Sequence, residues 1–487
     1  MSKVEMSGVE MNGSAPARPS SAEARPWLVP AVYDASAASL TAHVEAIGEV
    51  MAGRARLWLG PFAPPSQLPA SFQDTALVVP TSGSTGIAKA VAQTREALLA
   101  SQDATAQLFA ADGTAPDTQG HGFWLPLLPP THIAGVQVLA RAHRTGQVLG
   151  LDGPALPDPL PDLRGHFDAA AFVALAGPAL AQAERLGLPA FTSLVPTQLS
   201  RIVTGTSGAD VRARSLLKRF AAVLVGGAAT SADVLARSRA QNIAVRTTYG
   251  SSETAGGCVY DRAPLPGVQL RLIDPDAAGA GRLEISSPTL ALGYLTADGG
   301  VDTTPFTTGA GTGAGTGTEA GERAEARVPG EARVPGESAV REEAGERAGA
   351  LRAFLTSDLA ELASDGALTV LGRADDVINT GGRKVLPQDV ERAIDRSLML
   401  RGMVRASVVV GVPDPEWGQR IEALVTIEPG IDPAEATSLV RSALRTSEVP
   451  AHMIPKRVHV VEALPLLGIG KVDRTAARRH ATAHPAP

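Results

Sequence analysis

A single cysteine, Cys258, stands in 487 residues, so no disulfide can close within the chain. With no cysteine cluster and only nine histidines, the usual structural zinc sites are excluded as well. Long apolar runs are also missing. The most apolar stretch, residues 169–181, contains Gly177 and Pro178 and falls short of the roughly 20 residues that a membrane span needs. The N-terminus carries Glu5 and Glu10 and has no apolar core, so it is not a secretory signal. Positive charge is not in excess: Lys plus Arg is 44 against 50 Asp plus Glu, a formal net charge of −6. That balance gives no support to nucleic acid or an anionic membrane as the main partner. A cytoplasmic protein without membrane insertion is expected. Lysine is scarce, at Lys3, Lys89, Lys218, Lys384, Lys456 and Lys471 alone. A lysine inside a glycine-rich loop therefore stands out.

Apolar residues make up 44% of the chain, enough for a large core. The length suggests about three domains at roughly 150 residues each. Residues 1–25 are polar and aperiodic and read as a tail. Residues 301–350 read as a low-complexity insertion, with the run GAGTGAGTGT and a tandem EARVPG. Between them, short apolar runs alternate with helical patterns. ALVVP (76–80), AFTSLV (190–195), AAVLV (221–225) and AVRTTY (244–249) read as buried strands. A helix is expected from an N-cap at Thr94 and another over residues 132–142. This alternation argues for α/β architecture. After residue 375 the pattern changes to a compact α+β unit, with helices near 387–398 and 433–445. Its strands are expected at 404–412, 420–428 and 455–461.

The first chemical signal is Thr81-Ser82-Gly83-Ser84-Thr85-Gly86-Ile87-Ala88-Lys89, directly after a strand. Glycines let backbone approach an anion, hydroxyls and amides supply donors to phosphate oxygens, and Lys89 adds a point charge. An ordinary surface loop is the bland alternative. A P-loop fits badly, because Ile87 and Ala88 separate the last glycine from the lysine and Ala90 follows it.

The loop resembles the phosphate loop of the adenylate-forming superfamily, which includes acyl-CoA synthetases, luciferases and peptide-synthetase adenylation domains. Other segments resemble that family in the same order, over residues 76–475. Gly226-Gly227-Ala228 is similar to its adenine-side loop. Thr248-Tyr249-Gly250-Ser251-Ser252-Glu253-Thr254 is similar to its YGxTE motif, with Ser252 in place of Thr. Residues 281–294 and Ser357-Asp358 follow. Gly372-Arg373-Ala374-Asp375 resembles the hinge motif, Gly381-Gly382 its continuation, and residues 465–473 the C-terminal lysine loop. Only 55 residues, 26–80, separate the tail from the loop, so an abridged N-terminal subdomain is expected.

The resemblance implies a large N-terminal α/β domain of adenylate-forming type, here 26–374, and a small mobile C-terminal α+β domain, 375–480, with a tail at 481–487. It implies ATP, Mg²⁺ and coenzyme A. The catalytic set would be Lys471, Glu253, Lys89 and His132, with Glu253 also holding the metal. Thr81 to Gly86, Gly227, Ala228, Tyr249, Gly250, Ser252, Asp358, Arg373 and Gly382 would bind the nucleotide and CoA. Asp375 would be the hinge about which the C-terminal domain rotates between half-reactions. The chain ends 16 residues after Lys471, which favours free CoA over a carrier domain.

For the acid, residues 129–137, 191–199 and 249–260 resemble the o-succinylbenzoate–CoA ligases of menaquinone biosynthesis. The implied acyl contacts are His132, Gln137, Arg141 and Ser193. Partners are then small molecules (ATP, CoA and a carboxylic acid), with self-association as a homodimer left open. A ligase for another aryl or alkyl acid, or a non-catalytic nucleotide-binding relative, are the competing classes. Retention of Lys89, Glu253 and Lys471 together favours catalysis.

Overall fold

The computed structural model describes residues 25–82, 88–308, 352–397, 400, 402–466 and 472–483. The expected tail at 1–25 falls outside them but for Arg25, and residues 484–487 fall outside as well, whereas 481–483, expected as tail, continue the helix Arg474–Ala483; Gly83, Ser84, Thr85, Gly86 and Lys471 also lie outside.

Four sheets organise these residues. The first is six-stranded, in the order Trp27–Leu28, Arg56–Trp58, Thr75–Ser82, Ala88–Thr94, Gly293–Leu295 and Val301–Asp302. The second carries four parallel strands, Phe123–Leu125, Ala190–Leu194, Ala222–Val225 and Val245–Ser251, and continues antiparallel through Gly256–Tyr260 and Ala263–Pro264. The expected buried strands at 190–195 and 221–225 form here; the one expected at 244–249 also forms, as Val245–Ser251, but is only half-buried along its length. Side chains of one strand point alternately to its two faces. Phe191 and Leu224 therefore join a core with Val136, Leu139 and Phe109. Leu194, Val223 and Val225 join another with Phe172, Leu180 and Leu199. Helices cover both faces, as parallel strands require.

Thr94 caps the helix Arg95–Ala111 as its sequence implies, accepting from the Ala97 N–H at 3.0 Å. The helix Ile133–Leu149 sits hard against the loop before it: a Cβ on Gly135 would lie 2.1 Å from the Pro129 carbonyl. Only glycine permits that approach, which seats His132 at the helix entrance. The apolar run at 169–181 forms the helix Ala169–Arg185. No helix among the described residues is long and apolar enough to cross a membrane.

The third sheet is antiparallel and joins Gln269–Ile273, Gly281–Ser286, Arg352–Leu362, Phe306–Thr308 and Leu368–Arg373. It corrects the start of the expected insertion. Residues 306–308 are a strand, with Phe306 buried and stacked on Phe354 at 4.9 Å between ring centroids, and residues 301–302 already pair with Gly293–Leu295 in the first sheet. The remainder of that insertion, 309–350, lies outside the described residues.

The fourth sheet pairs Val404–Asp414 with Gly418–Ile427, which is flanked by Arg457–Val460 and Ile378–Thr380; Arg383–Val385 forms its edge. Val409, Ala423 and Val425 pack under the helices Pro387–Arg396 and Ala436–Thr446. Val408, Val410 and Leu424 face the helix Arg474–Ala483 instead. The second helix starts later than expected, after a short turn at Pro433–Glu435.

Candidate active site

In open parallel sheets, loops after the carboxyl ends of the strands form the ligand crevice. Here Ser193, Gly226-Gly227-Ala228 and the run from Tyr249 to Glu253 all lie at or just beyond those ends. The strand Phe123–Leu125 leads to His132 in the same way. Residues far apart in sequence are thereby brought to one edge.

The glycine-rich loop joins two arms of a hairpin, Thr75–Ser82 and Ala88–Thr94, with Thr81 in register with Lys89. The returning strand was not evident from sequence, because Ala90, Val91 and Ala92 are all buried and leave no alternation. Lys89 is half-exposed, 3.8 Å from Asp302 Oδ2, and its ammonium lies 4.3 Å from the Tyr294 ring centroid.

Glu253 occupies a short turn, Ser252–Thr254, that two amides hold by its backbone. Gln93 Nε2 donates to the Ser252 carbonyl at 2.6 Å, and Gln137 Nε2 to the Ala255 carbonyl at 2.6 Å. Ser252 is buried beside Glu253. Gly250 has no room for a side chain, since a Cβ would meet the Gly256 carbonyl at 2.0 Å. Glu253 is 7% exposed and makes no ion pair among the described residues. Its one described partner is the Tyr294 hydroxyl, which donates to Oε1 at 2.9 Å. A buried carboxylate without a counter-charge is costly. A divalent cation fits that deficit, and Mg²⁺ characteristically takes one or two carboxylates and completes its shell with phosphates and water. The described residues hold no group of three or more His, Cys, Asp or Glu able to cage a metal by themselves.

Tyr249 donates its hydroxyl to Asp358 Oδ2 at 2.5 Å. Burial, and next the Asp358 charge, push this phenol well above its usual range, so it remains a donor. Asp358 is in register with Arg373, whose guanidinium lies 3.9 Å from Oδ1 and donates to Asp375 at 2.9 Å. The next carboxylate, Asp376, faces the other way, with Arg474 at 3.4 Å. Arg474 also donates to both oxygens of Glu391, at 2.7 and 2.9 Å, and to the Val409 carbonyl. Burial, opposed by Arg474, raises the Asp376 carboxyl above the ordinary aspartate value. Lys471 lies outside the described residues; nearby, Leu466 and Val472 form an antiparallel bridge. Gly382 sits apart from this group, at the turn between Ile378–Thr380 and Arg383–Val385 in the fourth sheet.

Of the acyl-side candidates, His132 occupies the N-cap position of Ile133–Leu149 and Ser193 is buried in its strand. Gln137 is 1% exposed, and its Oε1 has no hydrogen-bond partner. Arg141 lies one helical turn further on. It is 6% exposed, donates to the Tyr260 hydroxyl at 3.1 Å and to Thr105 at 3.3 Å, and stacks over Trp124. No carboxylate pairs with it among the described residues, and its Nε is unpartnered. Cys258 is buried, and burial pushes its thiol up to about 12. Sequence reasoning assigned no role to Gln93, Tyr294, Tyr260 or Thr105. Only Tyr294 and Tyr260, closing the family-like segments 281–294 and 249–260, carried a signal.

Residues 16–295 match the AMP-binding enzyme family, and residues 394–471 match the AMP-binding enzyme C-terminal domain. A probable 2-succinylbenzoate–CoA ligase of Mycobacterium tuberculosis is 35% identical over 416 residues, covering 83% of this chain and 84% of that protein. Among solved structures, the o-succinylbenzoate CoA synthetase of Bacillus subtilis in complex with its acyl-adenylate superposes with a TM-score of 0.56 at 18% identity, covering 93% and 87% of the two chains. ATP-bound MatB from Rhodopseudomonas palustris gives 0.56 at 22% identity, over 86% and 70%. With the family match spanning more than half of its length, the chain belongs to the AMP-binding enzyme family.

Proposed function

We propose that this chain ligates o-succinylbenzoate to coenzyme A in two steps at one site. A substrate carboxylate oxygen attacks the α-phosphorus of ATP, giving an acyl-adenylate and releasing pyrophosphate. The CoA thiol then attacks the acyl carbon, loses its proton and displaces AMP. The first transition state is anionic, so positioning and charge stabilisation carry most of the catalysis.

The roles follow from charge and place. Thr81, Ser82, Gly83, Ser84, Thr85, Gly86 and Lys89 would hold the β- and γ-phosphates. Glu253 would hold Mg²⁺, which supplies a counter-charge to the phosphate oxygens. Tyr249 with Gly227 and Ala228 would flank the adenine, and Asp358 would accept from the ribose hydroxyls. Lys471 would bridge the α-phosphate and the substrate carboxylate, and His132 would guard the acyl entrance. Arg373 and Asp375 would form the pivot, and Gly382 would line the path of the thiol. All three substrates are soluble metabolites, and a cytoplasmic reaction suits them.

Arg141 carries the choice of acid. o-Succinylbenzoate has two carboxylates, and only the aliphatic one can meet ATP. The benzoate needs a cation, and Arg141 is a buried one whose bonds go to neutral hydroxyls rather than to a carboxylate. Gln137, on the same helix, would donate to the ketone oxygen through the second hydrogen of Nε2, the first being given to the Ala255 carbonyl. The 35% identity to a probable 2-succinylbenzoate–CoA ligase supports the same acid. The test is ATP-dependent thioester formation with o-succinylbenzoate, benzoates and fatty acids side by side. Preferential turnover of o-succinylbenzoate is expected. Equal use of a monocarboxylic analogue would make this a broader acyl-CoA ligase, and no release of AMP with any acid would make it a binding protein.

A further inference from the structure

Lys89 and Glu253 carry opposite charges on separate elements, and one side chain touches both. Tyr294 lies in the strand Gly293–Leu295, in register with Val91 on one side and Asp302 on the other. Its hydroxyl donates to Glu253 Oε1 at 2.9 Å, and its ring lies under the Lys89 ammonium at 4.3 Å. The residue is 6% exposed.

A neutral donor orients a carboxylate without cancelling its charge, unlike a lysine or an arginine. Among the described residues nothing donates to Glu253 Oε2. The aromatic face works similarly on the cation, attracting an ammonium without supplying a counter-ion. Asp302 is the one carboxylate near Lys89 among the described residues, and at 3.8 Å and partly exposed it holds the ammonium loosely.

We propose that Tyr294 is the positioning residue that sets these two charges against the triphosphate. Its hydroxyl fixes the Glu253 carboxylate with Oε2 open to a divalent cation, and its ring seats Lys89 within reach of phosphate. The proposal rests on the reading of Glu253 as metal ligand and Lys89 as phosphate ligand. A packing role alone is the alternative, since the ring also meets Phe306 edge-on at 5.8 Å.

The experiment uses the full chain with Tyr294→Phe, Tyr294→Leu and Glu253→Gln. Mn²⁺ is the probe, its binding to the complex with a non-hydrolysable ATP analogue being read by electron paramagnetic resonance. Losing one hydrogen bond to a charged group should weaken Mn²⁺ binding by roughly 10-fold in Tyr294→Phe. The half-saturating Mg²⁺ for pyrophosphate release should rise in parallel. Melting temperature and thioester formation from supplied acyl-adenylate should stay at wild-type values. Tyr294→Leu, which also removes the ring, should add a rise of several-fold in KM for ATP. If Glu253→Gln abolishes Mn²⁺ binding while Tyr294→Phe binds it as wild type, the Tyr294 proposal is overturned and the Glu253 reading stands. If Glu253→Gln itself binds Mn²⁺ normally, the underlying reading fails. A Tyr294→Phe variant that loses melting temperature and both half-reactions equally has only a packing role, which also overturns the proposal.

Discussion

Tyr249 and Asp358 lie 109 positions apart and are joined by a 2.5 Å hydrogen bond from hydroxyl to carboxylate. The bond ties the end of the parallel sheet to the antiparallel third sheet, so the two walls of the proposed nucleotide crevice are held at a set spacing. Asp358→Asn keeps the shape and removes the charge. It should raise KM for ATP by about 10- to 100-fold, the scale of a hydrogen bond to a charged group, and leave KM for the acid nearly unchanged. Steady-state kinetics with each substrate varied in turn would check this. An equal rise in both constants would remove Asp358 from the nucleotide site.

Arg141→Ala should raise KM for o-succinylbenzoate sharply, by about 100-fold, because a buried carboxylate loses its only cation. KM for ATP should change little. An analogue lacking the benzoate should be a poor substrate for the wild type and show little further loss in the variant. Arg141 also anchors Tyr260 and Thr105. Melting curves would therefore accompany the kinetics, and Arg141→Lys should recover part of the affinity.

Lys471→Ala should lose pyrophosphate release by orders of magnitude, while thioester formation from supplied acyl-adenylate falls far less. The two half-reactions, assayed separately in a folded variant, decide it. Equal losses in both would mean that Lys471 serves something other than adenylation.

Residues 309–347 should be dispensable. Their composition buries little, and their flanks already meet: Thr308 is in register with Arg352 across an antiparallel pair. Deletion leaves residues 348–351 to close a hairpin, a common loop length. The cost of changing loop length is small, about 0.6 kcal/mol per doubling. Melting temperature and turnover should stay near wild type. A large loss of activity would assign the segment a working role.

Acid should weaken the fourth sheet through Glu422. This residue is 1% exposed, and its carboxylate meets His459 Nε2 and Arg420 Nε at 2.6 Å each. Burial alone would raise its pKa, but the bonds from His459 and Arg420 outweigh burial and hold it below the ordinary glutamate value. A depressed folded pKa means that the stabilisation is complete above the unfolded value, about 4.3, and is lost as pH falls through the folded one. Thermal melts from pH 7 down to pH 3 should show a decline that is shallower in Glu422→Gln. That variant should already be about 2 kcal/mol less stable at pH 7, Arg420 being partly solvated and able to recover water.

Much of this site could be read from sequence because its chemistry sits in short runs. The glycines and hydroxyls of residues 81–86, the run from Thr248 to Thr254 and the pair Ser357-Asp358 say little one by one, but their occurrence together in family order points to a nucleotide site. What holds them does not. Gln93 reaches Ser252 across 159 positions, and Tyr294 reaches Glu253 across 41. Those contacts depend on which strands pair, and strand order leaves no periodic trace. Buried strands such as Ala190–Leu194 stand out as short apolar runs. The strand Ala88–Thr94 does not, since it is built of small residues buried on both faces and carries a lysine at its mouth.

At the proposed pivot, adjoining carboxylates answer to different solvents. Asp375 is tied to Arg373 where both side chains are about two-fifths exposed, at 43% and 42%. Asp376 is tied to Arg474 where both are only about one-fifth exposed. Dissolved ions reach the first tether and not the second. At about 1 M salt the screening length falls to about 3 Å, comparable to the 2.9 and 3.4 Å spans of the two pairs, and the more buried pair is screened less. Ionic strength then becomes a selective tool: it slackens the grip of Arg373 on the pivot while the grip of Arg474 endures. The balance between the two half-reactions should therefore drift with salt even where the affinity for each substrate is held constant.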